Sequence, residues 1–479
     1  MLPSTIDRRQ LLRQAATGSA LAAWPGLACS AAATSERPNL LYVFADQWRG
    51  QATGYAGDPH ALTPHLDRFA TQNLNITHAV SGCPVCSPHR GSLLTGCYPL
   101  THGVFVNDVP LSTRLTSFGE ALRSADYQTG YIGKWHVDGR GRESFIPRDR
   151  HRGFEFWRVL ECTHNYNHSL YYGDEPVQRL WDGYDAEAQT RGAEQYLRDK
   201  NRGGPFALFL SWGPPHAPYQ TAPEKFRKLI DQAAIKLRPN VPERVAQRAY
   251  TDLAGYYAHI ATLDDCFGRL LATLKETGLD RNTLVVFTSD HGDMLGSQGQ
   301  QKKQQPYEES IRVPFLLRDP RLAGPGRQLD LLLNSPDIMP TMLGLCGVPI
   351  PGTVEGSDYS RLLRDNQGPA PTAALLTCPQ PFGQWNRKLG GREYRGVRTH
   401  RHTYVRDLNG PWLLYDNQQD PYQLRNLVDT AEAAPTQRKL DEQLMAMLKQ
   451  RGDEFLPGPT YLARWGYQVD ANGTVPYRK

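Results

Sequence analysis

Short apolar runs alternate with longer amphipathic stretches along most of this chain. Four of the apolar runs are bounded by turn residues, as expected for strands buried in a parallel sheet. These four runs cover Asn39–Ala45, Gln128–Ile132, Phe206–Ser211 and Thr283–Ser289. Helical periodicity lies between them, at Thr116–Ser124, Asp182–Arg198 and from about Arg244 to Thr277. The alternation predicts an α/β fold in which a large mixed, mostly parallel sheet is sandwiched by helices.

The pattern changes after about Pro351. Short aromatic-rich runs separated by turn residues predict a smaller antiparallel sheet, and an amphipathic helix near Thr436–Gln450 predicts its packing partner. The short runs are Glu393–Val397, His402–Arg406 and Trp412–Tyr415. We therefore expect a main α/β domain over residues 36–350 and a C-terminal α+β subdomain over residues 351–479.

The first 35 residues predict an export signal. Arg8 and Arg9 precede an Ala- and Gly-rich, moderately apolar stretch, an arrangement that resembles a twin-arginine signal. An ordinary amphipathic first helix is the alternative. Cys29 offers a lipoprotein anchor, but the residues before it fit a lipobox poorly. We therefore expect release into the periplasm or secretion.

Composition excludes several classes of partner. The net charge of +5 over 479 residues is mild, and no basic run is interleaved with aromatics, so nucleic acid is not an expected partner. No segment resembles a stable membrane span. Eight cysteines in so long a chain do not form a disulfide framework, although one or two bridges remain open.

Cys86 begins a segment with the features of a helix N-terminus. Pro88 suits the first turn of a helix, where its missing N–H costs nothing, and Gly96 suits the end of one. Backbone N–H groups at Cys86 would then favour an anion. Cys83 and Cys86 also form a C-x-x-C pair, which is typical of redox sites or of half a zinc site. The sequence contains no second C-x-x-C pair to complete a zinc site.

The run Cys86–Arg90 has the order C-x-P-x-R, is followed by Leu94-Thr95-Gly96, and resembles the nucleophile segment of type I sulfatases. The resemblance implies the alkaline-phosphatase-like fold of their superfamily. It also implies that a formylglycine-generating enzyme oxidises Cys86 to formylglycine. The hydrated aldehyde has two geminal hydroxyls, of which one attacks sulfur and the other later loses its proton to expel sulfate. An unmodified thiol could not complete this cycle.

Two candidate pairs of metal ligands follow predicted strands. Asp46-Gln47 comes directly after Ala45, and Asp290-His291 directly after Ser289. Either pair alone is more often a helix cap or a turn. Carboxylate and amide oxygens suit a hard divalent cation. The resemblance implies that the cation is bound by Asp46, Gln47, Asp290, His291 and an oxygen of modified Cys86.

The types of ligand bear on which metal ion is expected. Many sulfatases have Asp-Asp and Asp-Asn where this chain has Asp46-Gln47 and Asp290-His291. These differences lower the negative charge and admit a nitrogen ligand. We expect Ca²⁺, with Mg²⁺ or Mn²⁺ as alternatives.

Gly133-Lys134-Trp135-His136 follows the second predicted strand and resembles the G-K-W-H element of sulfatases. Lys134 and His136 are two residues apart, so an extended segment points both into one pocket. The resemblance implies that Lys134 bridges the sulfate and the formylglycine oxygens, and that His136 accepts the proton of the second hydroxyl. A solvent-exposed lysine and a core histidine are the alternative.

Two more segments complete the resemblance. Pro214–Pro218 is similar to the P-H-x-P loop, which implies that His216 binds the ester and, with a lysine, protonates the leaving alcohol. Lys303, four residues before Tyr307, has the spacing of the lysine that contacts sulfate, with Lys302 as the neighbouring alternative. The resemblance also implies that Arg90 fixes the second hydroxyl of the nucleophile and balances charge.

Glu161–His168 is dense in hydrogen-bonding side chains and lies in a part of the chain rich in Tyr and Trp. Aromatic rings beside amides and imidazoles suit sugar rings, so His164 and Asn165 are candidate substrate contacts. A surface loop with buried aromatics is the alternative. Family members also draw substrate contacts from the C-terminal part, which makes Arg387 and Arg395 further candidates.

The motifs predict a sulfuric ester hydrolase that acts on a sulfated carbohydrate derived from a polysaccharide. A phosphonate monoester or phosphodiester hydrolase of the same superfamily is the nearest alternative, because it shares formylglycine and the sequence Asp-Gln-Trp-Arg found here at Asp46–Arg49. The third hypothesis is a catalytically inactive glycan-binding protein. The phosphonate and sulfate hydrolases are distinguished by their relative rates on the two ester types.

Overall fold

The computed structural model describes residues 37–199, 204–322 and 326–476, so the predicted export signal and Cys29 lie outside the described residues. The part of the chain from Arg37 onward forms one compact unit. Its strands are β1 (Asn39–Asp46), β2 (Leu74–Val80), β3 (Gln128–Lys134), β4 (Phe156–Leu160), β5 (Leu170–Tyr171), β6 (Arg179–Leu180), β7 (Phe206–Pro215), β8 (Thr283–Ser289), β9 (Phe315–Arg318), β10 (Arg327–Asn334), β11 (Ala374–Cys378), β12 (Tyr394–Arg398), β13 (His402–Asp407) and β14 (Gly410–Asp416). Its helices are α1 (Pro64–Gln72), α2 (Cys86–Thr95), α3 (Pro99–His102), α4 (Phe118–Arg123), α5 (Asp185–Arg198), α6 (Glu224–Arg227), α7 (Glu243–Thr277), α8 (Glu308–Ile311), α9 (Ser335–Cys346), α10 (Ser360–Asp365), α11 (Ala434–Gln450) and α12 (Gly458–Trp465).

The large sheet has the strand order β10-β2-β9-β8-β1-β7-β3-β4. Strand β9 pairs antiparallel with β2 and β8, and the other neighbouring strands are parallel. The predicted mixed, mostly parallel sheet is therefore confirmed. Sequence patterning missed β2, β4, β9 and β10, which lie at or towards the two edges.

Hydrophobic residues of β1 alternate between two cores, one on each face of the sheet. Leu40, Tyr42 and Phe44 belong to the core beneath α2, α4 and α9, and Leu41 and Val43 belong to the core beneath α5 and α7. Burying each such side chain contributes roughly 1.5–3 kcal/mol to folding. Burial on both faces holds β1 rigidly at the centre of the sheet.

The smaller sheet is antiparallel, in the order β11-β12-β13-β14. Helix α11 packs Leu440, Leu444 and Leu448 onto one face, which confirms the predicted sheet and helix. The other face of this sheet packs into a core that it shares with Val80 of β2 and Ile311 of α8. Only β11 was not predicted from the sequence.

The carboxyl ends of the central parallel strands meet at one edge of the large sheet. Ala45 of β1 lies beside Ser289 of β8, so the residues that follow them, Asp46 and Asp290, become neighbours. Strands β3 and β7 end at Lys134 and Pro215 on the same edge. Ligands bind at this edge in open α/β sheets, which places the predicted motifs where a site is expected.

The described residues show two further features, the first in their helices and the second in their cysteines. None of their helices combines the length and the apolar character needed to cross a bilayer. Seven cysteines, Cys83, Cys86, Cys97, Cys162, Cys266, Cys346 and Cys378, are buried and have free thiols.

Candidate functional site

Cys86 lies at the N-terminus of α2, with Val85 as the N-cap in extended conformation. Gly96 ends the helix with a φ of 65° and donates its N–H to the Ser92 carbonyl. Because residues with a side chain seldom adopt this left-handed conformation, the glycine fixes where the helix stops. The predicted helix is therefore present, and it directs Cys86 towards the carboxyl edge of the sheet.

The Cys86 thiol is surrounded by charged groups. Lys303 Nζ lies 3.0 Å from Sγ, His291 Nε2 lies 3.3 Å away and Asp46 Oδ1 lies 3.5 Å away. Burial and Asp46 raise the pKa of this thiol, but Lys134, Lys303 and His291 together hold it well below its ordinary value. The site therefore stabilises negative charge at the position of Sγ.

Four potential ligand groups converge beside Cys86. Ligand atoms of Asp46, Cys86, Asp290 and His291 all lie within 4.8 Å of one another, and all four residues are buried. His291 Nδ1 donates to the Gly292 carbonyl at 2.9 Å, which leaves Nε2 free to act as a ligand. Burial and the charge of Asp46 raise the pKa of Asp290 to about 6. A bound cation would relieve this repulsion, so the residues fit a divalent metal ion.

Gln47 supplies a further oxygen on the same segment. Its Nε2 donates to Asp293 at 2.7 Å, which fixes the orientation of the amide. The Oε1 atom is buried and has no hydrogen-bond partner among the described residues. An unpartnered buried carbonyl oxygen is costly, and ligation of a cation would satisfy it.

Arg90 joins the two carboxylates that could bind the metal. Its Nη2 donates to Asp290 at 3.1 Å and to Asp46 at 3.3 Å. Its Nη1 donates to the Lys134 carbonyl and to Ser211 Oγ, both at 2.7 Å. The guanidinium is 1% exposed, so these bonds hold it in a single position. Arg90 therefore fixes the relative positions of α2, β1, β3, β7 and the segment that follows β8.

Lys134 extends from the end of β3 to Asp46, where Nζ donates at 2.6 Å. A Cβ atom on the preceding Gly133 would lie 2.0 Å from the Ser211 carbonyl oxygen, so only glycine allows β3 to approach β7 so closely. Lys303 contacts Cys86 directly, whereas its neighbour Lys302 has no contact with that thiol. The structure therefore brings Lys134 and Lys303, the two lysines of the prediction, to the same cavity.

His216 lies in a loop with cis bonds at Pro214-Pro215 and Ala217-Pro218. Its Nδ1 donates to the Ala217 carbonyl at 2.7 Å, which leaves Nε2 unprotonated when the ring is neutral. Burial and Lys303 hold the pKa of His216 well below its usual range. His164 stacks on this ring with a centroid distance of 4.6 Å and an interplanar angle of 3°. Because His164 is exposed, it lies at the entrance to the site.

His136 is buried and faces Asp108, with 3.4 Å between Nε2 and Oδ1. Asp108 is held in turn by Arg142, whose Nη2 lies 2.9 Å from Oδ2. Burial lowers the pKa of His136, but Cys162 and Asp108 outweigh it and raise that pKa well above its ordinary value. Neither Asp108 nor Cys162 was found by sequence reasoning. Asp108 lies outside any motif, Cys162 lies in the segment Glu161–His168 that was noted only for substrate contacts, and only the fold brings them to His136.

The remaining candidates for substrate contacts differ in their surroundings. Asn165 is exposed beside His164. Arg387 is exposed as a residue but is hydrogen-bonded to Glu393 and to Gln380. Arg395 is fully buried, and its Nη2 donates to Asp453 at 3.1 Å. The expectation that Arg395 contacts substrate therefore needs correction: its charge is neutralised inside the protein, where a ligand does not reach it.

Comparisons with known proteins agree with this geometry. Residues 38–348 match the family model described as Sulfatase, and residues 296–450 match the model of the C-terminal region of N-sulphoglucosamine sulphohydrolase. The first match covers well over half of the chain. This chain belongs to the sulfatase family.

Individual relatives of the sulfatase cover most of its length. An ulvan-active sulfatase of Formosa agariphila is 40% identical over 92% of this chain and 87% of its own. An endo-4-O-sulfatase of Bacteroides thetaiotaomicron is 32% identical, with coverage of 88% and 94%. A solved structure from work on glycosaminoglycan metabolism by Bacteroides thetaiotaomicron has a TM-score of 0.81 and 30% identity, with coverage of 90% and 99%. The predicted family, fold class and hydrolase activity are confirmed.

Proposed function

We propose that this sulfatase removes sulfate from a sulfated saccharide, with formylglycine formed from Cys86 as the nucleophile. The observation that supports this most is the position of Cys86 Sγ, 3.0 Å from Lys303 and within reach of the Asp46, Asp290 and His291 ligand atoms. In this interpretation Sγ marks the place of the hydroxyl oxygens of the hydrated aldehyde. Those oxygens would supply the attack on sulfur and the later release of sulfate.

The residues that would hold the cation are Asp46, Gln47, Asp290, His291 and the modified side chain of Cys86. We propose Ca²⁺, with Mg²⁺ or Mn²⁺ as alternatives, because four of these ligands offer oxygen. When bound, the cation would polarise a sulfuryl oxygen and orient the nucleophile.

Fixed positive charge would bind the transferring sulfuryl group. Lys134, Lys303 and Arg90 are all buried and held by hydrogen bonds before any substrate arrives. Such preorganised charge stabilises the oxygens of the sulfuryl group as negative charge develops on them. Because these cations need no reorientation, their contribution to the transition state is large.

His216 would protonate the leaving alcohol. An alkoxide leaves poorly, so a proton must reach the ester oxygen as the S–O bond breaks. Burial and the neighbouring Lys303 lower the pKa of His216, so a proton on its Nε2 is given up readily. Lys303 is the adjacent source of that proton.

His136 in its neutral form would accept the proton of the second hydroxyl when sulfate is expelled, so this step would be lost below the raised pKa of His136. Asp108 Oδ1 lies 3.4 Å from Nε2 and would favour a proton on that nitrogen, which would leave Nδ1 as the basic nitrogen. Asp108 therefore acts as a positioning residue for His136, and Arg142 fixes Asp108.

Replacing Asp108 tests this arrangement. Asp108→Asn is expected to lower kcat by about 10- to 100-fold, because the ring of His136 loses its ionic partner. The loss of that carboxylate lowers the pKa of His136, so the acidic limb of the kcat profile should move to lower pH. Asp138→Asn is the matched control, because Asp138 is an equally buried carboxylate that pairs with Arg140 and Arg150 instead. An unchanged pH profile in Asp108→Asn would contradict the role of Asp108.

A saccharide substrate is supported by the names of the two relatives, an ulvan-active sulfatase and an endo-4-O-sulfatase, and by the entrance to the site. The exposed His164 ring stacks on His216, and Asn165 lies beside it, so both are proposed to contact the sugar that carries the sulfate. Arg387 is proposed as a more distant contact from the C-terminal part. The C-terminal part contacts the segment that carries Lys303, because Trp385 Nε1 donates to the Gln301 carbonyl at 3.1 Å.

Maturation and export complete the proposal. A formylglycine-generating enzyme would modify Cys86, and residues 1–35 would direct the sulfatase to the periplasm or outside the cell. Residues 36–350 would then form the catalytic domain and residues 351–479 the C-terminal subdomain.

Relative rates on two ester classes test the proposed function. The matured protein is expected to hydrolyse galactose 6-sulfate or 4-nitrophenyl sulfate with a kcat/KM at least ~100-fold above that for a phenylphosphonate monoester, a ratio that is well within the range of differential transition-state binding. Faster turnover of the phosphonate would favour the phosphonate hydrolase instead. Binding of a sulfated sugar without release of sulfate would indicate a glycan-binding protein.

A further inference from the structure

A second polar cavity lies outside the group around Cys86. It has a volume of about 300 Å³ and is lined by residues from five parts of the chain. The polar and aromatic side chains among them are Arg49, Gln51, Asp58, His60, Lys236, Arg238, Tyr257 and Tyr422. A volume of this size lies at the lower end of the range for small-molecule sites.

Arg49 is the unusual member of this lining. Its side chain is 2% exposed, and its Nε has no hydrogen-bond partner in the part of the chain that the structure describes. The nearby carboxylates are engaged elsewhere: Glu309 lies 2.9 Å from Arg238, and Asp58 accepts from the Tyr257 hydroxyl at 2.7 Å. Among the described residues, no carboxylate forms an ion pair with Arg49. Burial disfavours the charged guanidinium, but Tyr257, Tyr256, Asp58 and Glu309 outweigh it and raise the pKa of Arg49. The buried Nε still lacks a partner among these groups, which is costly, and an oxyanion of a ligand would satisfy it.

The other side chains that line the cavity favour a ligand that carries an anionic group on a sugar ring. The cavity has three basic side chains, Arg49, Lys236 and Arg238, and one acidic side chain, Asp58. Tyr257 and Tyr422 add aromatic surface, and Arg238 lies over the Tyr422 ring at 4.9 Å. Aromatic rings beside cations and hydrogen-bonding groups suit a sugar that carries a negative charge.

The position of Arg49 is built into the fold. Its backbone N–H donates to the Tyr256 hydroxyl at 2.9 Å, and that hydroxyl donates to the Gln47 carbonyl at 2.9 Å. Tyr256 is fully buried in α7. The segment that presents Arg49 to the cavity is therefore rigid, as a preformed binding site requires.

We propose that this cavity is a second saccharide site, which binds a sugar unit bearing a sulfate or a carboxylate through Arg49, Arg238 and Lys236. The assignment of a sugar rests on the proposed function, since a sulfated polysaccharide offers further anionic units beyond the one that is cleaved. The shared chemistry is an oxyanion on a sugar ring. A sulfate ester and a uronate carboxylate are its two possible sources.

Calorimetry with the metal-loaded protein tests the proposal. Galactose 6-sulfate and glucuronate are the anionic probes, and galactose is the neutral one. Because the Cys86 site also binds a sulfated sugar, we expect at least one anionic probe to show a binding step that Lys236→Glu weakens and that galactose does not show, and that probe identifies the oxyanion. Lys236→Glu, an exposed change at the cavity, is expected to raise the Kd of that probe by about 10-fold. Lys228→Glu is the control, because Lys228 is equally exposed but does not line the cavity.

Arg49→Met gives the stronger test, since it keeps the bulk of the side chain and removes its charge. If this variant does not fold, Lys236→Glu and density for the bound probe beside Arg49 in a soaked crystal decide the matter.

Equal binding of galactose and the anionic sugars, or an unchanged Kd in Lys236→Glu, would overturn the second site. Hydrolysis of 4-nitrophenyl sulfate should be the same in Lys236→Glu and wild type. Loss of the proposed activity with probe binding intact would overturn the proposed function alone.

Discussion

Cys86→Ser is expected to lower multiple turnover of a sulfated saccharide by at least ~1,000-fold, because the serine hydroxyl lacks the second oxygen of the hydrated aldehyde. A sulfate ester formed on serine would have no geminal hydroxyl to expel it. The variant should therefore release at most one equivalent of alcohol and then stop. The measurement is a time course of alcohol and sulfate release at enzyme concentrations high enough to resolve one turnover.

Cys83→Ser is the matched control for this prediction. Cys83 is buried three residues before Cys86, and its thiol contacts Thr377 rather than the charged cavity. Burial raises the pKa of the Cys83 thiol to about 12, in contrast to that of Cys86. The control should therefore retain activity within a few-fold of wild type. Sustained turnover by Cys86→Ser at the rate of the control would contradict the nucleophile assignment.

Asp46→Asn is expected to abolish binding of the divalent cation and to lower kcat by about 1,000-fold. The carboxylate is fully buried between Lys134 and Arg90 and next to the ligand atoms of Asp290 and His291. Its loss removes a ligand charge, takes away the ionic partner of Lys134 and leaves Arg90 with Asp290 alone. The metal content of the purified protein, measured by mass spectrometry of the elements, should fall from about one ion per chain to near zero.

Chelation and a matched carboxylate provide the controls. Treatment of the wild type with EDTA should lower both activity and Tm, and added Ca²⁺ should restore them. Asp319→Asn should keep its metal, because Asp319 is also buried but pairs with Arg321 away from the site. If chelated protein that contains no metal kept full activity, the proposed role of Asp46 as a ligand of a catalytic metal would be contradicted.

The sequence predicted the centre of the fold better than its edges. Strand β8 was predicted with its observed bounds, and β1 to within one residue, because both are continuous apolar runs buried on each face. Strand β10 was missed because its first half is exposed and carries Arg327, Gln328 and Asp330. Strand β9 has only four residues, too few to show a period.

The site could be predicted only where motifs mark it. Asp46, Cys86 and Asp290 lie at strand or helix ends that the sequence places together once the sheet is known. Asp108 has no such signal, because a loop far from any motif carries it to His136. Arg395 shows the reverse problem: family members draw substrate contacts from the C-terminal part, which made it a candidate, whereas its strand is buried along its whole length and Asp453 neutralises its charge.

The most direct test of the account relates activity to the chemical state of Cys86. Preparations made with different amounts of formylglycine-generating enzyme can be digested, and the peptide containing Cys86 can be weighed by mass spectrometry as thiol or aldehyde. The account predicts that kcat for sulfate release rises in proportion to the aldehyde fraction and extrapolates to zero when every Cys86 is a thiol. Equal activity in a preparation that contains only the thiol would contradict it.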